Sequence, residues 1–286
     1  PHPRMAAAAR AAAASRAAWP SARRRVRACR GMAAAAAPSY AGAVDSHLHV
    51  WASPAEAAAG FPYKPGGEPP EALAERGTPA ALLEAMAGAG VSGALVVQPI
   101  NHGFDHSYVS AALRAHPGVL AGCCLADPTP GGGGVGAMEA LLTSGGYRAV
   151  RFNPYLWPEG SAMTDPAGRA MFQRAGELGA PVGFMCFKGL LLHLDDIEAL
   201  CTDYPGTPVM LDHLGFCKDD KGEDFRQLLA LARFPQVHVK LSAFFRVSGA
   251  GSFPYEDVMP RVAALKEAYG AGRLMWGTDF PFVQGE

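Results

Sequence analysis

The chain has 286 residues, 49% of them hydrophobic, and a formal net charge of −1. That length and apolar content suit one large domain, and an α/β barrel of about 250 residues fits it as a single unit. No apolar run reaches the ~18 residues of a spanning helix, and the acid excess beyond residue 44 gives no footprint for nucleic acid.

The first 44 residues carry eight arginines (Arg4, Arg10, Arg16, Arg23, Arg24, Arg25, Arg27 and Arg30) and no Asp or Glu. With the alanine runs and Ser15, Ser21 and Ser39, this composition predicts an organelle transit peptide over residues 1–42. The mature chain is then expected to begin near residues 32–43 and to reside in a chloroplast or mitochondrion. A basic arm that binds an anionic surface is the alternative. Six cysteines (Cys29, Cys123, Cys124, Cys186, Cys201 and Cys217) form no Cys-x-x-Cys pair, which predicts free thiols in a reducing compartment.

A short apolar strand spans residues 43–51. His47 and His49 sit in it at i and i+2, so they project from one face, and Asp45 shares their parity. Two imidazoles so placed can bind one metal ion or polarise a substrate oxygen; a pair of solvated loop histidines is the plainer alternative. Residues 52–77 form a Pro- and Gly-rich loop, long enough to fold over a site. Thr78 and Pro79 read as an N-cap followed by proline at the first helical position, starting a helix to about Gly90.

An alternation follows. Strands are predicted over 93–98, 119–125, 148–153, 181–187, 208–213, 237–242 and 273–279. Helices are predicted over 105–116, 135–144, 166–179, 190–203, 222–233 and 257–269. The glycine run 131–134 lacks the spacing of a phosphate loop and reads as a linker. Eight strands with seven intervening helices predict a (β/α)8 TIM barrel rather than a doubly wound sheet, for which no dinucleotide fingerprint is present. The domain, residues 43–286, stops seven residues after Asp279. It is therefore expected to be cut short at its C-terminus and to lack the last barrel helix.

In such a barrel the active site lies at the C-terminal strand ends. Those ends carry His47, His49, Gln98, Asp127, Arg151, Asn153, Lys188, His213, Lys240, Ser242 and Asp279. Singly, His213 could cap the next element, Lys240 could be a solvated rim charge and Asp279 a turn residue. Their equivalent topological places point instead to one constellation.

The segments Asp45–Ser46–His47–Leu48–His49, Val150–Arg151–Phe152, Leu211–Asp212–His213–Leu214–Gly215, Val239–Lys240–Leu241–Ser242 and Trp276–Gly277–Thr278–Asp279–Phe280–Pro281 fall in order on these strands. With them, residues 43–286 resemble the amidohydrolase superfamily, in the amidohydrolase-related branch of 2-pyrone-4,6-dicarboxylate hydrolases and sugar lactonases. The resemblance implies a hydrolase that opens a small carboxylated lactone or similar cyclic ester with an activated water. By position it implies that Asp279 takes the proton of that water and that His213, His47 and His49 polarise the carbonyl. It makes Arg151 the partner of a substrate carboxylate, with Gln98, Asn153 and Lys240 as further substrate-binding candidates. His47, His49 and Asp279 could hold Zn²⁺ or Mn²⁺, with His213 as a fourth ligand.

Metal-dependent branches commonly place a histidine or a modified lysine on strands four or five. Strand five here reads Phe184–Met185–Cys186–Phe187, so catalysis without a metal is the expectation. A metal-dependent decarboxylase of an acidic substrate, and a non-catalytic barrel serving as a binding or assembly subunit, are the alternatives.

Overall fold

The computed structural model describes residues 42–285, so the expected leader lies, apart from Gly42, outside the described residues. Eight strands run in sheet order as they run in sequence: β1 (Ala43–Leu48), β2 (Val91–Val97), β3 (Leu120–Leu125), β4 (Tyr147–Phe152), β5 (Val182–Phe184), β6 (Val209–Leu211), β7 (Val237–Leu241) and β8 (Leu274–Trp276). Each pairs in parallel with the next. The connections carry α1 (Pro54–Ala59), α2 (Pro79–Ala89), α3 (Ser107–Ala115), α4 (Gly134–Ser144), α5 (Pro166–Glu177), α6 (Leu194–Asp203), α7 (Glu223–Ala230), α8 (Phe244–Val247) and α9 (Met259–Tyr269). The fold is a (β/α)8 TIM barrel. Among the described residues no helix is long and apolar enough to cross a membrane.

Local chemistry explains where elements start. Thr78 caps α2 by accepting the Ala81 N–H, Pro79 fills the first turn, and Gly90 ends the helix in a left-handed conformation. The loop 52–77 is more ordered than its composition suggested. Ser53 and Glu56 form a reciprocal capping box that starts α1, and the Tyr63 hydroxyl donates to the Ala52 carbonyl. Strands β5, β6 and β8 end earlier than their apolar runs. Met185 to Lys188, Asp212 to Phe216 and Gly277 to Pro281 therefore lie on connections, where backbone direction is free to change.

Period-two alternation sorts the strand side chains. One face packs under the helices and includes Val96, Cys124, Val150, Phe152, Leu211 and Val239. The other turns into the barrel, where Val97, Cys123, Ala149 and Met210 form a small separate cluster with Leu95 and Met275. Counting on from that cluster puts Arg151, Asp212 and Lys240 on the lumen face, and Asp45, His47 and His49 share one face of β1.

Beyond β8 the chain is pinned to β1. The Asp279 N–H donates to the His47 carbonyl at 2.8 Å and the His49 N–H to the Phe280 carbonyl at 2.8 Å. The buried Asp45 carboxylate accepts the Thr278 N–H at 3.1 Å and the Thr278 hydroxyl at 2.5 Å. Gly277 is needed for this approach, since a Cβ there would lie 2.9 Å from the His47 nitrogen.

Candidate active site

The pinning of β8 to β1 brings Asp279 beside the two histidines of β1. His49 Nε2 lies 3.2 Å from Asp279 Oδ1, His47 Nε2 3.8 Å and His213 Nε2 3.7 Å. Three imidazole nitrogens thus converge on one carboxylate oxygen, and all four side chains are buried. Asp279 and His213 both have left-handed backbones, with φ of 64° and 49°. Leu214, Gly215 and Phe216 continue that left-handed turn. Non-glycine residues rarely adopt it, and such conformations concentrate at functional sites.

Each histidine is held by its other nitrogen. His47 Nδ1 meets Asp212 Oδ1 at 3.1 Å, His49 Nδ1 meets the Val97 carbonyl at 2.9 Å, and His213 Nδ1 meets the Ser242 hydroxyl at 2.8 Å. A carboxylate and a carbonyl can only accept, so Nδ1 of His47 and His49 carries the proton and the Nε2 lone pair faces inward. His47 Nε2 has no hydrogen-bond partner among the described residues. Burial, with the Lys240 ammonium second, keeps the His47 imidazole neutral. Burial pushes His213 down to about 4. Burial opposes the charge on Asp279, yet His213 and His49 beside it hold its carboxyl below the usual carboxylate range.

Behind His47 lies Asp212, a residue of the 211–215 motif to which the sequence assigns no role. It accepts from Arg151 Nε at 3.1 Å and lies 3.0 Å from Arg151 Nη2 and 3.2 Å from Lys240 Nζ. Burial opposes its charge, but Lys240, His47 and Arg151 hold it ionised, well below the usual carboxylate range. A second residue not anticipated is Arg246 on α8. Its Nε donates to Asp279 Oδ2 at 2.8 Å, and its guanidinium lies 4.5 Å from the Phe282 ring centre.

The converging groups open into a cavity of about 230 Å³ lined by His49, Arg151, His213, Arg246 and Asp279, with Met185, Phe187, Phe216 and Phe282 among its apolar walls. Among the described residues its lining carries the cations Arg151 and Arg246 against the carboxylate of Asp279.

Several expected substrate contacts are placed elsewhere. Gln98 shares the parity of Val96, the outer face, and its amide donates to the Gly103 and Asp105 carbonyls. It holds the loop after β2. Asn153 accepts the Tyr155 N–H and caps a short turn. Lys240 is buried on the Nδ1 side of His47, where its ammonium serves Asp212. Arg151 does line the cavity, but its Nε and Nη2 are committed to Asp212. Asp127 holds the Thr129 N–H and hydroxyl in a turn. Lys188 is exposed beyond the end of β5.

His47, His49 and Asp279 have ligand atoms within 4.8 Å of one another, a set that could hold a metal ion. Residues 44–286, which build the barrel and carry this cluster, match a family model described as amidohydrolase. The chain belongs to the amidohydrolase family. It is an enzyme of the hydrolase type, as expected, and the alternative of a non-catalytic barrel is without support. This amidohydrolase is similar to the 4-sulfomuconolactone hydrolase of Hydrogenophaga intermedia, with 27% identity over 253 residues, 84% of this chain and 75% of that protein. It is also similar to the structure of a candidate 2-pyrone-4,6-dicarboxylic acid hydrolase from Pseudomonas putida, with 28% identity, a TM-score of 0.67, and coverage of 85% of this chain and 84% of that one. An amidohydrolase from Burkholderia multivorans solved with bound Zn shares the fold at 20% identity and a TM-score of 0.61, covering 84% of this chain and 85% of that one. The expectation of metal-independent catalysis gains no support from the site: a histidine on strand five is not needed to complete a His-His-carboxylate set.

Proposed function

We propose that this amidohydrolase opens a small carboxylated lactone by adding water to its carbonyl. The observation that carries the reading is the convergence of three histidine Nε2 atoms and Asp279 Oδ1 at a buried cavity whose lining is cationic on balance. The Hydrogenophaga relative is described as hydrolysing, and the Pseudomonas one as a candidate to hydrolyse, an anionic lactone.

The donor set fits a divalent metal. The buried, unpartnered Nε2 of His47 costs free energy unless something accepts its lone pair, and two neutral imidazoles plus a carboxylate are a common ligand set for Zn²⁺ or Mn²⁺. His47, His49 and Asp279 would hold it. When bound, such an ion supplies Lewis acidity toward a carbonyl oxygen.

The chain's own residues supply the rest. Asp279 stays ionised because Arg246 and the histidines surround it, so it is ready to accept a proton from the attacking water. Neutral His213, oriented by Ser242, offers Nε2 to the reacting groups. Arg246 stands between Asp279 and the cavity mouth with its side chain 27% exposed, so it is the cation best placed to meet a substrate carboxylate. Arg151 adds positive potential from the wall. Phe187, Phe216 and Phe282 keep bulk water from the carbonyl.

The test is an acid-release assay on a panel of carboxylated lactones, using protein stripped by a chelator and then supplied with Zn²⁺ or Mn²⁺. Hydrolysis restored by the metal supports the full reading. Hydrolysis undiminished by stripping would remove the metal from it. No turnover of any lactone in either state would reject it.

A further inference from the structure

The inner cavity continues outward into a larger groove. Phe187, Phe216, Arg246 and Phe282 line both spaces. The outer groove measures about 840 Å³, and its remaining lining is Pro70, Ala72, Leu73, Lys188, Lys218 and Phe245. A ring small enough for about 230 Å³ uses the inner space alone. Hydrolysis of a bare lactone acid therefore leaves Phe245, Lys188 and Lys218 at the mouth without a role.

The composition of this mouth is specific. Its apolar wall comes from separate connections: Leu73 from the loop before α2, Phe187 after β5, Phe216 after β6, Phe245 on α8 and Phe282 after β8. Phe187 is 53% exposed although it packs edge-on against Phe216, with ring centres 5.5 Å apart. An exposed aromatic beside a reactive cavity offers a stacking surface. Its charges among the described residues are Lys188, Lys218 and Arg246, with no carboxylate among them. Asp219 and Asp220 follow Lys218 in sequence but lie outside that lining. The loop carrying Leu73 is fixed in place, because the Trp51 indole donates to the Leu73 carbonyl at 3.3 Å and packs against Phe282.

We propose that the groove is a second substrate-binding site, and that the preferred substrate is elongated: a lactone ring in the inner cavity carrying an aromatic extension that ends in an anionic group. The aromatic part stacks among Phe187, Phe216, Phe245 and Phe282, and the terminal anion meets Lys188 and Lys218. This inference rests on the lactone reading above and names the substrate class more narrowly.

Three probes separate the two claims: a five-membered lactone carboxylate, the same ring bearing a phenyl group, and the same ring bearing a 4-carboxyphenyl group. The 4-carboxyphenyl lactone should show a kcat/KM about tenfold or more above the parent, mostly through KM, since stacking and one charged contact together are worth at least that factor. Phe245→Ala should lower the ratio of either aryl lactone to the parent. Lys218→Gln should lower the ratio of the 4-carboxyphenyl to the phenyl lactone and leave the phenyl-to-parent ratio in place. Because each reading is a ratio within one protein, partial misfolding of a variant cancels. Turnover of the parent with aryl lactones no better, or with ratios unmoved by both substitutions, overturns the second site and leaves the lactone reading standing. Turnover of none of the three overturns both.

Discussion

Asp212→Asn removes one charge and keeps the shape. In the wild type the carboxylate faces His47 Nδ1, Arg151 Nε and Nη2, and Lys240 Nζ, all within 3.2 Å. Two carboxylate oxygens offer about four acceptor positions, whereas an amide offers one oxygen and turns a donor toward the other side. At least one buried cation then loses its partner, and Arg151 and Lys240 are 3% and 1% exposed. Breaking a buried ionic group on one side costs about 3–5 kcal/mol. His47 also loses the acceptor that fixes its tautomer, which for such supporting contacts lowers metal affinity about 10–100-fold. Urea denaturation would give the first figure and calorimetric titration with Zn²⁺ the second. An Asp212→Asn protein within about 0.5 kcal/mol of wild type, the range of ordinary surface changes, and with unchanged Zn²⁺ affinity would refute the assignment of Asp212 as the support of His47.

Arg246→Ala should reduce kcat/KM for a carboxylated lactone more than for an uncharged one, by about tenfold in the ratio for one lost charged contact; an unchanged ratio would move carboxylate recognition away from Arg246. Stability should fall on acidification. His213 is held neutral with its value pushed down to about 4, so between about 6.5 and 4 the unfolded chain binds a proton that the folded one refuses. The loss amounts to about 3 kcal/mol by pH 4, visible as a falling urea midpoint, and a flat midpoint over that window would contradict it. Gly277→Ala should destabilise the protein, because its Cβ would meet the His47 backbone, and should disturb the site; differential scanning calorimetry and Zn²⁺ titration on one sample would show both losses together.

The barrel was legible because its strands are apolar runs closed by polar residues, and because seven helical segments separate them. His47 and His49 were legible from parity alone. His213 and Asp279 were found as polar strand ends, although neither lies on a strand: β6 ends at Leu211 and β8 at Trp276. Strict alternation from Met210 sends Asp212, not His213, into the lumen. His213 enters the site only because the chain turns left-handed there, which no local pattern announces. Asp212 could have been found by that same count. Gln98 could have been set aside by counting from Val96. Arg246 gave no signal, since it sits in a four-residue helix after β7 and its partner Asp279 is 33 residues away. The capping box at Ser53 and Glu56 was present in the sequence and marked a helix inside the loop 52–77.

The most direct measurement of the central claim is the rate of acid release from a carboxylated lactone by the wild type and by Asp279→Asn, each supplied with Zn²⁺. Asparagine keeps the size of the side chain and the contact with Arg246 but cannot take a proton from water. The account predicts a kcat lower by about 10²–10⁴-fold in the variant, with the fold intact by circular dichroism. A variant that hydrolyses the lactone at the wild-type rate would contradict it.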